Sequence, residues 1–214
     1  MTLFKDANLK LWYPMTKGSG TTLYDYGVDA NNGTFTGDPT WEKEKTGQYY
    51  LVFDGGDGIS LTAIDLDNSF SLCCWVNASD NGFIIAKDSG SSGGDIEYSL
   101  SVWDYGTPYF HLEMGNTVNT QFRASSTTSP TQGTWYHVVG TFNSSTGVMN
   151  IYVNGLYEGT DTFTGTRSTK TSGTYIGRRA NGVYLIGSLQ NPMIFEKELS
   201  ANEIKDLYNK TFIE

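Results

Sequence analysis

Cysteine and histidine are almost absent from this chain of 214 residues. The two cysteines, Cys73 and Cys74, are sequence neighbours. Neighbouring residues of a strand point to opposite faces, so an ordinary disulfide between them has poor geometry. The two histidines, His111 and His137, have no nearby cysteine pairs and therefore form no zinc motif. We expect free, buried thiols and a fold that is stable without disulfides.

Basic residues are also scarce, since 14 Lys and Arg against 23 Asp and Glu give a formal net charge of −9. Nucleic acids and anionic membrane surfaces both attract basic segments, so this charge balance argues against either partner. The chain has no apolar run long enough for a signal peptide or a transmembrane span. We therefore expect no membrane insertion. We expect a protein that is extracellular or lies on a virion surface. Either its secretion signal was removed, or it reaches its site by another route, such as virion assembly.

Residues that favour strands and tight turns are abundant, with 25 glycines and 14% aromatic residues. The clearest pattern spans residues 131–155, where two alternating apolar runs, 135–142 and 148–153, flank a polar segment. This period of two, with β-branched and aromatic residues, predicts an antiparallel hairpin. Asn154 and Gly155 tolerate positive φ and predict a second tight turn directly after it.

This hairpin reads G-x-W-Y-H-V-V-x-T-F…G-x-M-N-I-Y-V-N-G, and other segments accompany it in order. They are YLVFDG at 50–55, FSLCCWV at 70–76, and IG at 176–177 followed by GSLQ at 187–190 and LSANEI at 199–204. Over residues 20–209 this order resembles laminin G-like domains of the concanavalin A-like jelly-roll superfamily. The resemblance implies an all-β fold, a two-sheet antiparallel β-sandwich with a short C-terminal helix, as one domain over residues 1–214. This fold hosts many functions, so the resemblance alone does not select one.

The end of the chain changes from strand periodicity to helix periodicity. Ser200 and Glu203 form a capping box, in which each side chain can bond the backbone N–H of the other residue. Ile204, Leu207 and Tyr208 then form one apolar stripe. This pattern predicts a two-turn helix that packs on the sandwich.

Three other segments have readable patterns. Residues 70–76 alternate, which predicts a core strand. Residues 16–49 are rich in Gly, Asp and Asn and are predicted to be mostly turn. Pro192 cannot donate to a sheet ladder and is predicted at an edge or a bulge.

Catalysis is difficult to build from these residues, and we predict that the chain is not an enzyme. His137 lies in an apolar strand pattern without a nucleophile motif, so a structural or surface role is favoured. The resemblance raises one alternative, because jelly-roll glucanases carry catalytic carboxylates on alternate residues of a strand. Asp95 and Glu97 have that spacing, but their order is reversed and Leu100 stands where a third acid would be. The simpler interpretation is a solvated strand entrance.

A calcium ion is the one cofactor that the resemblance suggests, because many laminin G-like domains hold calcium at the rim of the sandwich. Calcium needs six to eight oxygen ligands, which acidic glycine-rich loops supply. The candidates are Asp25 and Asp29 in one loop, or Asp54 and Asp57 in another. The alternative is that these aspartates form Asx turns.

Aromatic side chains are the best candidates for ligand binding, because sugar rings stack their C–H faces on Trp and Tyr. The densest aromatic and polar turn contains Trp103, Asp104, Tyr105 and Tyr109. Trp75 is a further possible ligand contact, because it projects from the strand face opposite the core residues of 70–76. The resemblance instead favours a place in the core for both Trp75 and Trp135.

A second candidate loop contains Arg178, Arg179 and Tyr184, whose cations could meet acidic sugars or a protein partner. Paired arginines in a turn are more often simply solvated.

The favoured function is a non-catalytic module that binds glycans or a cell-surface partner. The alternative is a structural or decoration protein of a viral particle or another surface assembly, with homo-oligomer or coat-protein contacts. The start at Met1, the missing signal and the missing disulfides favour this alternative over an animal matrix origin. A jelly-roll glycoside hydrolase is third.

Overall fold

A computed structural model describes residues 5–90, 96–104 and 107–211, with Asp104 described by its backbone alone. Its strands in the first half of the chain are β1 (Leu9–Trp12), β2 (Thr22–Leu23), β3 (Gly33–Thr36), β4 (Thr40–Lys43), β5 (Tyr49–Asp54), β6 (Gly58–Leu61), β7 (Phe70–Ala78), β8 (Gly82–Asp88) and β9 (Ile96–Asp104). The second half contains β10 (Pro108–Gly115), β11 (Gln121–Ser125), β12 (Tyr136–Phe142), β13 (Val148–Val153), β14 (Leu156–Thr162), β15 (Thr174–Ile176), β16 (Ile186–Phe195) and the helix α1 (Ala201–Thr211).

These strands form two antiparallel sheets of eight strands each. Sheet A has the order β14-β13-β12-β7-β16-β5-β4, with β1 beside β16. Sheet B has the order β11-β10-β9-β8-β15-β6-β3-β2. The two sheets pack face to face around one large apolar core. The predicted all-β sandwich with a short C-terminal helix is thereby confirmed.

Strand periodicity explains which side chains enter this core. On β7, Phe70, Leu72, Cys74 and Val76 all point between the sheets, as predicted. The predicted hairpin is β12–β13, with Val138 opposite Val153. Burial raises the pKa of Cys73 and of Cys74, and both are free thiols.

The outer face of sheet A is covered by α1, which runs for three turns rather than the predicted two. Eight buried residues form a second apolar cluster there: Leu9, Cys73, Val139, Met193, Phe195, Leu199, Ile204 and Leu207. The predicted capping box is present, because Ser200 N donates to Glu203 Oε2 at 2.8 Å and Glu203 N donates to Ser200 Oγ at 3.4 Å. Within the described ranges, no helix has the length and apolar character needed to cross a bilayer.

Two irregular regions agree with their sequence patterns. Pro192 lies at a bulge, since the β16–β7 register shifts between Gln190 and Met193 and Asn191 has φ 50°. The prediction that residues 16–49 are mostly turn is confirmed, although the segment also includes the short strands β2, β3 and β4. These strands have only two to four residues each, and pairing with neighbours in the sheets, not local periodicity, makes them extended.

Candidate functional site

The outer face of sheet B carries the first group of predicted ligand-binding residues. Val102 on β9 and Phe110 on β10 point into the core. Trp103 follows Val102 and Tyr109 precedes Phe110, so both point outward. These outward residues, Trp103 and Tyr109, are direct cross-strand partners and are both half-buried. Tyr105 and the side chain of Asp104 lie outside the described residues.

Phe83 on β8 joins this pair to the second predicted loop. Its ring lies 5.8 Å from the ring of Trp103, centroid to centroid, and 5.2 Å from the guanidinium of Arg179. Val183 packs on the same small apolar cluster. Two segments that are far apart in sequence therefore meet on one surface. Phe83 was not predicted from the sequence as part of a site, because a bulge between Phe83 and Ile85 breaks the alternation that would assign its face.

The second loop holds its arginines in fixed positions. The guanidinium of Arg178 lies 5.0 Å from the ring centroid of Tyr175 and 5.3 Å from that of Tyr184. Arg179 Nε lies 3.3 Å from the buried carboxylate of Asp88. The sequence left open the alternative that these arginines are simply solvated. The structure instead shows both of them held by neighbouring side chains. We call the residues Phe83, Trp103, Tyr109, Tyr175, Arg178, Arg179 and Tyr184 the aromatic–arginine strip.

Beside this strip, β9, β10 and β11 carry buried polar side chains on the same face. His111 Nδ1 lies 2.9 Å from Ser125 Oγ. Glu113 Oε1 accepts from Arg123 Nε at 2.5 Å, and Glu113 Oε2 accepts from Ser99 Oγ at 3.3 Å. Burial lowers the pKa of His111, and the nearby Glu113 charge partly opposes that shift. The row forms a rigid polar floor beside the aromatic rings.

The predicted carboxylate pair is not seen as a catalytic arrangement. Asp95 lies outside the described residues. Glu97 is 4% exposed, its Oε2 lies 2.9 Å from the ammonium of Lys87, and it accepts the N–H of Lys170 at 2.7 Å. Lys87 also contacts Asp65. Glu97 therefore neutralises a buried lysine, which is a structural role.

Three residues that the sequence analysis discussed as possible functional groups lie elsewhere. Trp75 points outward from sheet A, but α1 covers it, and its Nε1 donates to Thr211 Oγ1 at 2.8 Å. His137 is buried beside it, with a ring distance of 5.2 Å. Trp135 is half-buried and donates to Glu44 Oε1 at 2.9 Å. None of the three belongs to the aromatic–arginine strip.

Of the aspartates proposed for calcium, Asp25 organises the loop around it. Its two carboxylate oxygens accept backbone N–H groups from Trp12, Gly27 and Asn31 at 2.7–2.8 Å. These three donors use most of the roughly four lone-pair sites of the carboxylate and would compete with a cation for it. The geometry is that of an Asx turn extended to a neighbouring strand.

The other three aspartates show similar local bonding. Asp29 Oδ2 lies 3.9 Å from the ammonium of Lys10. Asp54 Oδ1 accepts the N–H of Gly56 at 2.9 Å. Asp57 is 3% exposed, accepts two backbone N–H groups at 2.8 and 3.1 Å, and has its pKa raised by burial. In the described part of the chain, no three His, Cys, Asp or Glu side chains converge as a metal site would require. These residues do not fit a calcium ion well, and calcium binding stays a prediction.

The comparison with protein families gives one match. The model Laminin_G_3, described as concanavalin A-like lectin/glucanases superfamily, matches residues 53–205. No curated protein sequence matches the chain.

Many solved structures share the fold. Domain 4 of an extracellular GH43 arabinanase from Geobacillus stearothermophilus, in complex with arabinotriose, has 18% identity and a TM-score of 0.71, and the match covers 94% of this chain and 98% of that one. The binding domain of Paraclostridial mosquitocidal protein 1 has 12% identity, a TM-score of 0.74, and coverage of 96% and 52%. The binding domain of botulinum neurotoxin DC with SialylT has 19% identity, a TM-score of 0.73, and coverage of 97% and 52%. The chain thus spans about half of each toxin domain, and at these identities the likeness shows the fold alone.

Proposed function

The chain belongs to the Laminin_G_3 family of the concanavalin A-like lectin/glucanase superfamily, and from this premise we propose that it is a non-catalytic glycan-binding module. The binding surface is the aromatic–arginine strip on the outer face of sheet B. Two structural neighbours were solved with sugars, arabinotriose in one and SialylT in the other, and this supports the proposal. An extracellular site of action belongs to the same proposal.

The observation that carries the proposal is the difference between the two outer faces of the sandwich. The outer face of sheet A is sealed by α1 and an apolar cluster. Over sheet B, the described residues place no helix, and the face carries half-buried aromatic rings with two anchored arginines. The outer face of sheet B therefore offers a ligand aromatic rings and arginines, whereas that of sheet A is covered by the helix.

The strip has the groups that sugar recognition needs. Trp103 and Tyr109 offer flat apolar surfaces for the C–H faces of a sugar ring. Arg178 and Arg179 are held by rings and by a carboxylate, so little side-chain entropy is lost when they donate to hydroxyl or acidic groups. The site is thus preorganised for a polar ligand with apolar faces.

The carboxylates of this face support binding rather than hydrolysis. Glycosidases use one carboxylic acid and one carboxylate on either side of the scissile bond. Here Asp88 and Glu113 are each ion-paired with an arginine through one carboxylate oxygen, which favours the ionised, structural form of both acids. A structural role in a viral or other surface assembly stays a prediction, because none of the neighbours described above bears on it.

The test is binding of arabinotriose and of sialylated oligosaccharides by isothermal titration calorimetry. We expect wild-type chain to bind at least one of them, and Trp103→Ala to weaken that binding about tenfold, as expected when a stacking ring is lost. Tyr157→Ala is the matched control, because Tyr157 is an exposed tyrosine on the edge strand β14 of the other sheet.

A stability measurement separates binding from folding. Trp103 is half-buried, so its variant should keep a cooperative thermal transition. Equal affinities of wild type and Trp103→Ala, in a folded variant, would remove the strip as the site. Sugar hydrolysis by the wild type would contradict the non-catalytic assignment.

A further inference from the structure

A second surface carries exposed aromatic rings beside β1. Residues 24–28 run along β1, with Tyr26 N donating to Trp12 O at 2.9 Å. Tyr24 and Tyr26 are 50% and 55% exposed, whereas Leu23 is in the core and the Asp25 carboxylate turns towards backbone N–H groups. Alternation of an extended chain thus places both tyrosines on the solvent side. The two rings together form an exposed aromatic patch, and contiguous patches of this kind mark interaction sites more often than single exposed residues do.

The tyrosines border a shallow cleft that is lined mainly by apolar side chains, among them Met15, Leu23 and Trp41. Its volume is about 20 Å³, which is room for about one water molecule. A ligand cannot enter such a cleft. It would have to lie across the rings, as a sugar ring does when it stacks on tyrosine.

The same surface contains lysines that lack carboxylate partners. The ammonium of Lys17 lies 4.1 Å from the ring centroid of Tyr24, and that of Lys43 lies 5.1 Å from the ring centroid of Tyr49. Both lysines are exposed, and neither forms an ion pair within the described residues. Lys43 lies between Glu42 and Glu44 in the sequence, so Lys17 is the cation of this surface that is better placed to attract an anion beside a tyrosine ring.

The two lysine–tyrosine pairs adjoin each other. Gly18 has φ +62°, and a Cβ on it would lie 2.2 Å from the ring of Tyr49, so the loop after Lys17 packs directly on that ring. Thr16 lines both the cleft and an open hollow of about 310 Å³ beside Tyr49. That volume is near the lower end of small-molecule sites, about 300–1,000 Å³.

We propose that this surface, formed by Lys17, Tyr24, Tyr26, Lys43 and Tyr49, binds a carboxylate-bearing sugar unit of a glycan. The tyrosine rings take the apolar face of the sugar, and the Lys17 ammonium takes its carboxylate. The site is separate from the aromatic–arginine strip and does not require that the strip binds glycans.

The test compares trigalacturonate with its fully methyl-esterified form, which has the same sugar rings without the charge. NMR titration gives the affinity of each form. We expect tighter binding of the acid form. Lys17→Gln should weaken the acid form about two- to fivefold and leave the ester unchanged, as for an exposed ion pair. Tyr24→Ala should weaken both forms about two- to tenfold.

Two control variants match these changes in type and exposure. Tyr157→Ala removes a tyrosine that is 56% exposed on β14, at the opposite edge of sheet A from β4. Lys205→Gln removes an exposed lysine of α1. Both should bind like the wild type.

Three results would overturn the inference. The first is that the acid form does not bind, and the second is that acid and ester bind with equal affinity. The third is that Lys17→Gln and Tyr24→Ala bind with the same affinities as the wild type. Loss of acid-form binding in Trp103→Ala alone would also overturn it and would support the strip instead. If the acid form does not bind and the wild type self-associates through Tyr24, the rings are a contact between copies of the chain.

Discussion

His137 is the most perturbed histidine of the described structure. Its ring packs against those of Trp75 and Tyr208, at centroid distances of 5.2 and 6.1 Å, and these two rings also stack on each other at 5.6 Å. Its Nδ1 is buried and has no hydrogen-bond partner among the described residues. Burial lowers the pKa of His137 from 6.5 to about 3. A histidine held neutral beneath α1 makes the stability of the chain sensitive to acid.

The direction of this effect follows from the two pKa values. Above pH 6.5 the imidazole of His137 is neutral in both the folded and the unfolded chain, so it adds no pH dependence. Between pH 6.5 and about 3, only the unfolded chain takes up the proton, so the free energy of unfolding falls as the pH falls. We expect this residue to cost about 2 kcal/mol at pH 5 relative to pH 7.

Urea denaturation at pH 7 and pH 5 measures this cost. His137→Phe keeps a ring packed against Trp75 and Tyr208 but cannot bind a proton, so it should lose less stability at pH 5 than the wild type. His111, whose pKa burial also lowers, contributes to both proteins and cancels in the comparison. An identical loss in both proteins would show that His137 is not the acid-sensitive group.

At the scale of elements, the capping box governs how firmly α1 covers sheet A. Ser200 and Glu203 bond each other's backbone N–H, and Lys197 pairs with Glu203 at 2.7 Å. We expect Ser200→Ala to lower the free energy of unfolding by about 1 kcal/mol. In Ser200→Asp the carboxylate can also accept the N–H of Glu203, so this variant should keep most of the wild-type stability. Chemical denaturation is the measurement, and equal stability of all three proteins would mean that packing alone fixes the helix.

The sequence predicted those elements whose pattern is local. The β12–β13 hairpin alternates cleanly, Ser200 and Glu203 have the spacing of a cap, and Pro192 lacks the donor that a regular ladder needs. The short strands of residues 16–49 have no such signal, because their extended form comes from pairing with distant strands. Tyr24 and Tyr26 were missed for the same reason.

The candidate site was predictable as residue types but not as a surface. Trp103 and Arg179 are conspicuous in sequence, yet their proximity depends on Phe83, which neither segment contains. A bulge between Phe83 and Ile85 shifts the register of β8 against β9. Simple alternation therefore could not assign the face of Phe83.

At the scale of the whole molecule, net charge complicates any test for calcium. A chain of net charge −9 repels itself, and any divalent cation screens that repulsion, so a small rise in melting temperature is not evidence of a site. A specific site must distinguish calcium from magnesium, which prefers smaller octahedral sites and keeps its water. The comparison must therefore be made at equal ionic strength.

We expect calcium and magnesium to give the same melting temperature, and EDTA to lower it no further than the change in ionic strength explains. The reason is that Asp25 and Asp57 already accept five backbone N–H groups between them, and these donors compete with a cation for the carboxylate oxygens. A ligand of the folded state would instead raise the melting temperature with the logarithm of its concentration once that exceeds Kd. A rise specific to calcium that Asp57→Asn abolishes, while Asp29→Asn retains it, would assign the ion to the loop of Asp54 and Asp57. The reverse pattern would assign it to the loop of Asp25.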